Sequence, residues 1–214
     1  MGVFLQYAIF PGCDEVAAWA AVMEASEAGF HIDLSKCRYA KSHEGTQVLM
    51  EGDELGFSPL AKALSHAALN PVMLLYIYDG DFWGYDFYGG QEETHFSTMP
   101  DYFGPVTQEE KGRLSGSPDA LAGWFPIQNI HAVKCYLVHW SDLSEEELDG
   151  EKFALMGDQF PFGDCWQMTD FAAWLGFPWP FGQTERTPAM KPPLPVLGEI
   201  LAQALPRMPR EESL

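Results

Sequence analysis

The stretch from Pro71 to Phe103, PVMLLYIYDGDFWGYDFYGGQEETHFSTMPDYF, constrains this chain most, because it reads as two consecutive β-hairpins. It holds ten of the thirty aromatic residues, so the core has to be built on it. Val72 to Tyr78 is apolar on both alternating faces, as a strand covered on both sides requires. Asp79-Gly80 is expected to form a two-residue type I′ turn, followed by a strand from Asp81 to Tyr88. Gly89-Gly90 is expected to form a second such turn, with Gln91 to Thr98 returning beside it.

That turn sets the expected register. Asp86 falls opposite Glu93, Gly84 opposite His95 and Trp83 opposite Phe96. One face then carries Trp83, Tyr85, Phe87 and Phe96, with Leu74 and Tyr76 from the first strand; the other carries Phe82, Gly84, Asp86, Glu93 and His95.

Upstream, Val3 to Phe10 is a strand candidate. A helix is expected from Asp14, with Val16, Trp19, Ala20 and Met23 as its apolar stripe and Gly29 at its end. Phe30 to Leu34 alternates like a strand and is expected to pair with Thr46 to Met50. A second helix starts with Ser58 as cap and Pro59 at the first helical position, with Leu60, Ala63, Leu64 and Ala67 inward. The order β, α, β, β, α, β, β, β predicts an α+β fold: a mainly antiparallel sheet built from hairpins, with helices packed on one face.

Downstream, short helices are expected at Gln108 to Leu114 and Pro118 to Trp124, a strand over His131 to Trp140, and a helix from Ser144 to Leu148. Asp164 and Gln167 make an Asp variant of the capping box before Met168, Phe171, Ala172 and Leu175, with Gly176 as the stop. We expect one α+β domain over 1–180, a Pro/Gly-rich linker over 181–195, and an amphipathic helix and tail over 196–214. That last helix either packs back on the domain or docks on a second copy.

Charge narrows the partners. With 31 acidic and 12 basic residues the formal net charge is −19, a field that repels nucleic acid and draws basic proteins. No signal-peptide pattern and no apolar run of membrane-spanning length is present, so a cytoplasmic location without a membrane partner is expected. Cys13, Cys37, Cys135 and Cys165 show no zinc-ligand spacing and are expected reduced; no metal site and no cofactor is called for.

Two groups of residues could carry chemistry. Asp86, Glu93 and His95 would put two facing carboxylates beside an imidazole, which suits acid–base work or a divalent metal; the plainer alternative is a solvated sheet face. Cys165, beside Trp166 at a helix start, would have its thiolate favoured by the helix dipole, although all six histidines precede it; a buried structural thiol is the alternative. His131 and His139 would lie roughly 26 Å apart on a strand, too far to share a metal. Phosphate-cradling glycine loops and the G-x-S-x-G elbow are absent. For binding, Trp83 and Tyr85 on the hairpin and Tyr102, Phe103 and Trp179 in loops are the candidates, since large rings there either plug the core or meet a partner.

The run Tyr78-Asp79-Gly80-Asp81-Phe82-Trp83-Gly84-Tyr85, followed by Pro100-Asp101-Tyr102-Phe103, resembles a signature of uncharacterised bacterial proteins, over about thirty residues and with no activity attached. In size, charge and fold class the chain also resembles small acidic immunity proteins of bacterial toxin systems. The expectation is a non-enzymatic protein-interaction module, immunity-like in character, with a small metal-assisted hydrolase or thiol enzyme as the alternative.

Overall fold

Six strands form one antiparallel sheet in the computed structural model, which describes residues 3–50, 56–149 and 152–181. In chain order the elements are β1 (Leu5–Pro11), α1 (Glu15–Glu27), β2 (Arg38–Ser42), β3 (Gly45–Met50), α2 (Phe57–Ala68), β4 (Val72–Tyr78), β5 (Phe82–Gly89) and β6 (Glu92–Ser97). Five short helices follow: α3 (Gln108–Arg113), α4 (Pro118–Ala122), α5 (Ile130–Tyr136), α6 (Glu145–Asp149) and α7 (Gln167–Trp174). The sheet order is β2-β3-β1-β4-β5-β6, so β1 sits between two hairpins and both its faces are buried. The fold is α+β, with the element order expected up to β6. The C-terminal helix and nearly all of the linker lie outside the described residues.

Both faces are covered, and each has its own core. Ala8 and Phe10 from β1, Val48 from β3 and Leu74 from β4 meet Trp19 and Val22 of α1 and Leu60 and Leu64 of α2. Tyr7, Leu75, Trp83, Tyr85, Phe87 and Phe96 face the opposite way, against Val133 and Tyr136 of α5, Met168 and Phe171 of α7, and Leu175 at the end of α7. The expected stripe of α7 is therefore inward in full. The α1 stripe is rotated: Ala18, Trp19, Ala21, Val22 and Ala25 are buried, whereas Val16 is 47% exposed. Small alanines let α1 lie close to its neighbours, a signal that large-residue periodicity misses.

Other expectations are corrected by hydrogen bonds close to the backbone. Phe30 to Leu34 is not a strand, because Asp33 accepts from the Ser35 N–H and hydroxyl and turns the chain; only Ile32 makes an isolated bridge, and β2 starts at Arg38. His131 to Trp140 is not a strand either. Asn129 Oδ1 accepts from the His131 and Ala132 N–H groups and caps α5, which buries Ala132, Val133 and Tyr136. Ser58 does not cap α2, which begins after Gly56; its hydroxyl instead meets the Tyr88 hydroxyl at 2.6 Å. Asp164 accepts from Trp166 N–H, and α7 begins only at Gln167.

The two hairpin turns differ from expectation by one residue each. Asp79 and Gly80 take the positive φ values of 51° and 78°, but Tyr78 pairs with Phe82, so the loop has three residues. An odd loop reverses the side-chain parity of the following strand. Leu74 and Tyr76 consequently share a face with Gly84 and Asp86, not with Trp83 and Tyr85, whose companions are Met73, Leu75 and Ile77. At the second turn Gly89 pairs with Glu92, leaving Gly90-Gln91 as the loop, with Gly90 at φ 69°.

Leu69 closes α2 in the left-handed conformation, φ 48° and ψ 35°, with 90% of its surface exposed. A leucine there carries backbone strain and contributes almost no packing. Leu69→Gly is therefore expected to raise stability by about 0.5–1 kcal/mol, read as a higher urea midpoint at unchanged slope. A lower midpoint would show that the leucine packs in solution.

Three buried phenols make the fold sensitive to alkali. Burial pushes Tyr85 up to about 12, and Tyr7 and Tyr76 are likewise raised well above their ordinary 10. Since these groups ionise near 10 when unfolded and later when folded, their contribution is complete below pH 10 and is lost as pH rises above it, for Tyr85 through about 12. Urea midpoints are expected to be level just below pH 10 and to fall above it; a level midpoint throughout would contradict their burial.

Candidate functional site

The hairpin face brings together two of its three expected residues. In the observed register Asp86 lies opposite His95, and Glu93 lies opposite Tyr88. The His95 Nδ1–H donates to Asp86 Oδ1 at 2.5 Å, with both side chains largely buried on the α2 side of the sheet. The Tyr88 ring stands edge-on to the imidazole at 5.6 Å and is tied to Ser58 of α2. Glu93 is exposed. Asp86 thus faces an imidazole where a second carboxylate was expected, and among the described residues no three His, Cys, Asp or Glu side chains converge to hold a metal. What the pair does is join β5 to β6 beneath α2.

His131 lies in α5, and His139 in the irregular stretch after it. His139 is buried, its Nδ1 at 2.9 Å from the Ser97 carbonyl and its Nε2 at 3.1 Å from the Ser115 hydroxyl, so it fastens the post-helix loop to β6. His131 is exposed.

Of the five aromatic binding candidates, two are core. Trp83 and Tyr85 are fully buried and have no surface to offer a partner. Trp179 is half-buried against Tyr7, Trp166 and Phe181. Tyr102 and Phe103 do reach the surface, in a cluster the sequence did not suggest as a unit. Phe4 and Phe103, 54% and 70% exposed, both stand edge-on to Tyr78 at 5.0 Å, while Tyr102 packs on Phe82 at 4.8 Å. The Tyr102 hydroxyl donates to Asp81 Oδ2 at 2.6 Å, and that carboxylate pushes the phenol up to about 12. Asp79 and Asp101, also exposed, belong to the same two turns.

Beside this cluster, at the β4–β5 turn, a cleft of about 690 Å³ opens. Its walls include Trp140, Phe162 and Trp166, and its carboxylates are Asp81, Asp149 and Asp164; among the described residues no Lys, Arg or His lines it. Cys165 is in the wall too, 5% exposed, with no imidazole among the described lining residues. The volume falls in the range of small-molecule and side-chain pockets. Asp86, Glu93 and His95 are not part of it. An aromatic, acidic recess has the chemistry for a cation: carboxylates supply the charge and rings the stacking surface.

Sequence reasoning reached Tyr102, Phe103 and Cys165 but missed Asp81, Trp140, Asp149 and Asp164 as site residues. They come from three separate segments, around 81, 140–149 and 164, and no spacing along the chain joins them. No family model, curated protein or solved structure matches this chain.

Proposed function

We propose that this chain is an acidic, non-enzymatic protein-interaction module that engages a basic protein partner through the end of the sheet bearing the β4–β5 turn. The observation that carries this is the exposed Phe4–Tyr78–Phe103 cluster set among Asp79, Asp81 and Asp101. Exposed aromatic rings supply contact area, and the surrounding carboxylates select the sign of the partner and speed the encounter. The net charge of −19 acts in the same direction. No helix among the described residues is long and apolar enough to cross a membrane, and a cytoplasmic role fits this reading. An immunity-like protein that holds a basic toxin domain would be one instance of it.

The test is fluorescence anisotropy with a labelled arginine-rich peptide and a glutamate-rich peptide of equal length, at about 50 and 300 mM salt, on the native chain and on Phe103→Ala. The basic peptide is expected to bind, to weaken with salt, and to lose about tenfold in affinity on Phe103→Ala, which leaves the charge unchanged. Absence of binding at low salt, or equal affinity for the variant, would overturn the proposal.

A further inference from the structure

We propose that Met156 is a site of reversible oxidation, where a hydroperoxide converts the thioether to the sulfoxide ahead of the other described methionines and without cost to the fold. This is independent of the protein-interaction reading above. Met156 is 104% exposed, in a turn of the segment that leads into α7. The other described methionines are shielded: Met50, Met73 and Met168 are at most 2% exposed, and Met23 and Met99 are half-buried. The reaction needs the oxidant to reach the sulfur. A sulfur lone pair attacks the outer oxygen of the hydroperoxide, and the S–O bond forms as the O–O bond breaks. The sulfur loses two electrons, and the departing oxygen takes the proton of the transferred one and leaves as water or an alcohol. Access therefore sets the order in which methionines react.

A second observation concerns the backbone that presents this sulfur. The Asp158 N–H donates to the Leu155 carbonyl at 3.3 Å, and Asp158 Oδ2 accepts the Leu155 N–H at 2.8 Å, which closes a turn around Met156 and Gly157. Gly157 supplies its positive φ of 102°. Asp158 Oδ1 accepts the Tyr136 hydroxyl at 2.6 Å and ties the turn to α5. Just beyond, Asp170 of α7 accepts the Gln159 and Phe160 N–H groups, both at 2.9 Å. None of these bonds uses the Met156 side chain, so an added oxygen breaks none of them. The new oxygen lies in water, whereas the same change at a core methionine would bury an unsatisfied acceptor. What changes is the surface. Met156 and Phe153, which is 40% exposed, give this segment an apolar exterior, and the sulfoxide replaces part of it with a polar acceptor that methionine sulfoxide reductases can remove.

The experiment treats the full chain with millimolar hydrogen peroxide at about pH 5, where thiols are protonated and thioether oxidation continues, and follows each methionine by peptide mass spectrometry. Met156 is expected to gain one oxygen at least about tenfold faster than Met23 or Met99. The chain oxidised only there is expected to keep the melting temperature and tryptophan fluorescence of the native protein. The two epimer-specific methionine sulfoxide reductases, with a dithiol reductant, are expected to remove the oxygen. Met156→Leu, a conservative change at an exposed position, is expected to delete the fast step and leave the slow oxidation of Met23 and Met99 as it was. Oxidation of Met156 at the rate of Met23 or Met99 would overturn the site. A melting temperature that falls with selective oxidation of Met156, or an oxygen that neither reductase removes, would overturn the claim of a reversible change without cost to the fold.

Discussion

Trp83→Ala is expected to cost about 3–5 kcal/mol, enough to leave a domain of ordinary stability close to unfolding at room temperature. Trp83 is fully buried near the start of β5, with its ring 5.0 Å from Phe96 and 5.2 Å from Phe171 of α7. Its indole Nε1 also donates to the buried Gln167 Oε1 at 3.3 Å. Truncation removes the ring, opens a cavity between sheet and helix, and strips Gln167 of that bond, while its Nε2 already lacks a partner among the described residues. Urea denaturation would give the size of the loss. A cost near 1 kcal/mol would mean that α7 does not pack on the sheet as described. Trp83→Phe, which keeps an aromatic ring, is expected to recover part of the stability.

Gly84→Ala is expected to cost about 3 kcal/mol, although it adds a single methyl group. A Cβ at Gly84 would lie 2.5 Å from the Phe96 carbonyl oxygen and 2.5 Å from the Tyr76 hydroxyl. Tyr76 lies across β5 at this point, stacked on Phe57 at 4.0 Å, and its hydroxyl points to the Phe96 carbonyl. The carbonyl belongs to β6 and cannot retreat without breaking the ladder, so the ring must leave its stack. Comparison of Gly84→Ala, Tyr76→Leu and the double variant tests this directly: Tyr76→Leu is expected to be less harmful in the alanine background than alone. Additive costs would place the strain elsewhere.

Both effects come from the stretch in which the sequence was most informative, and the stretch also shows where such inference stops. The hairpins, the positive φ at Asp79 and Gly80, and the aromatic set on β5 were legible because strand alternation and turn chemistry are local. The face of Leu74 and Tyr76 was not, since it turns on whether the loop holds two residues or three, and Asp81 suits a loop as well as a strand start. At the second turn the loop has two residues as expected but sits one position later, at Gly90-Gln91, which puts His95 and not Glu93 opposite Asp86. α5 was misread because Ala132, Val133 and Tyr136 form a short helical face whose main signal is the Asn129 cap. For the candidate site, Tyr102 and Phe103 could be singled out as loop aromatics. The cleft could not, because Asp81, Trp140, Asp149 and Asp164 meet only once the chain is folded.

Hydrogen–deuterium exchange of the full chain, with and without the arginine-rich peptide, tests most directly that the end of the sheet bearing the β4–β5 turn is the binding face. Protection is expected in the segments 78–82, 99–104, 140–149 and 161–166, with β2 at the far edge unchanged. Protection confined to β2 or to the Asp86–His95 side of the sheet, or no change anywhere at saturating peptide, would contradict it.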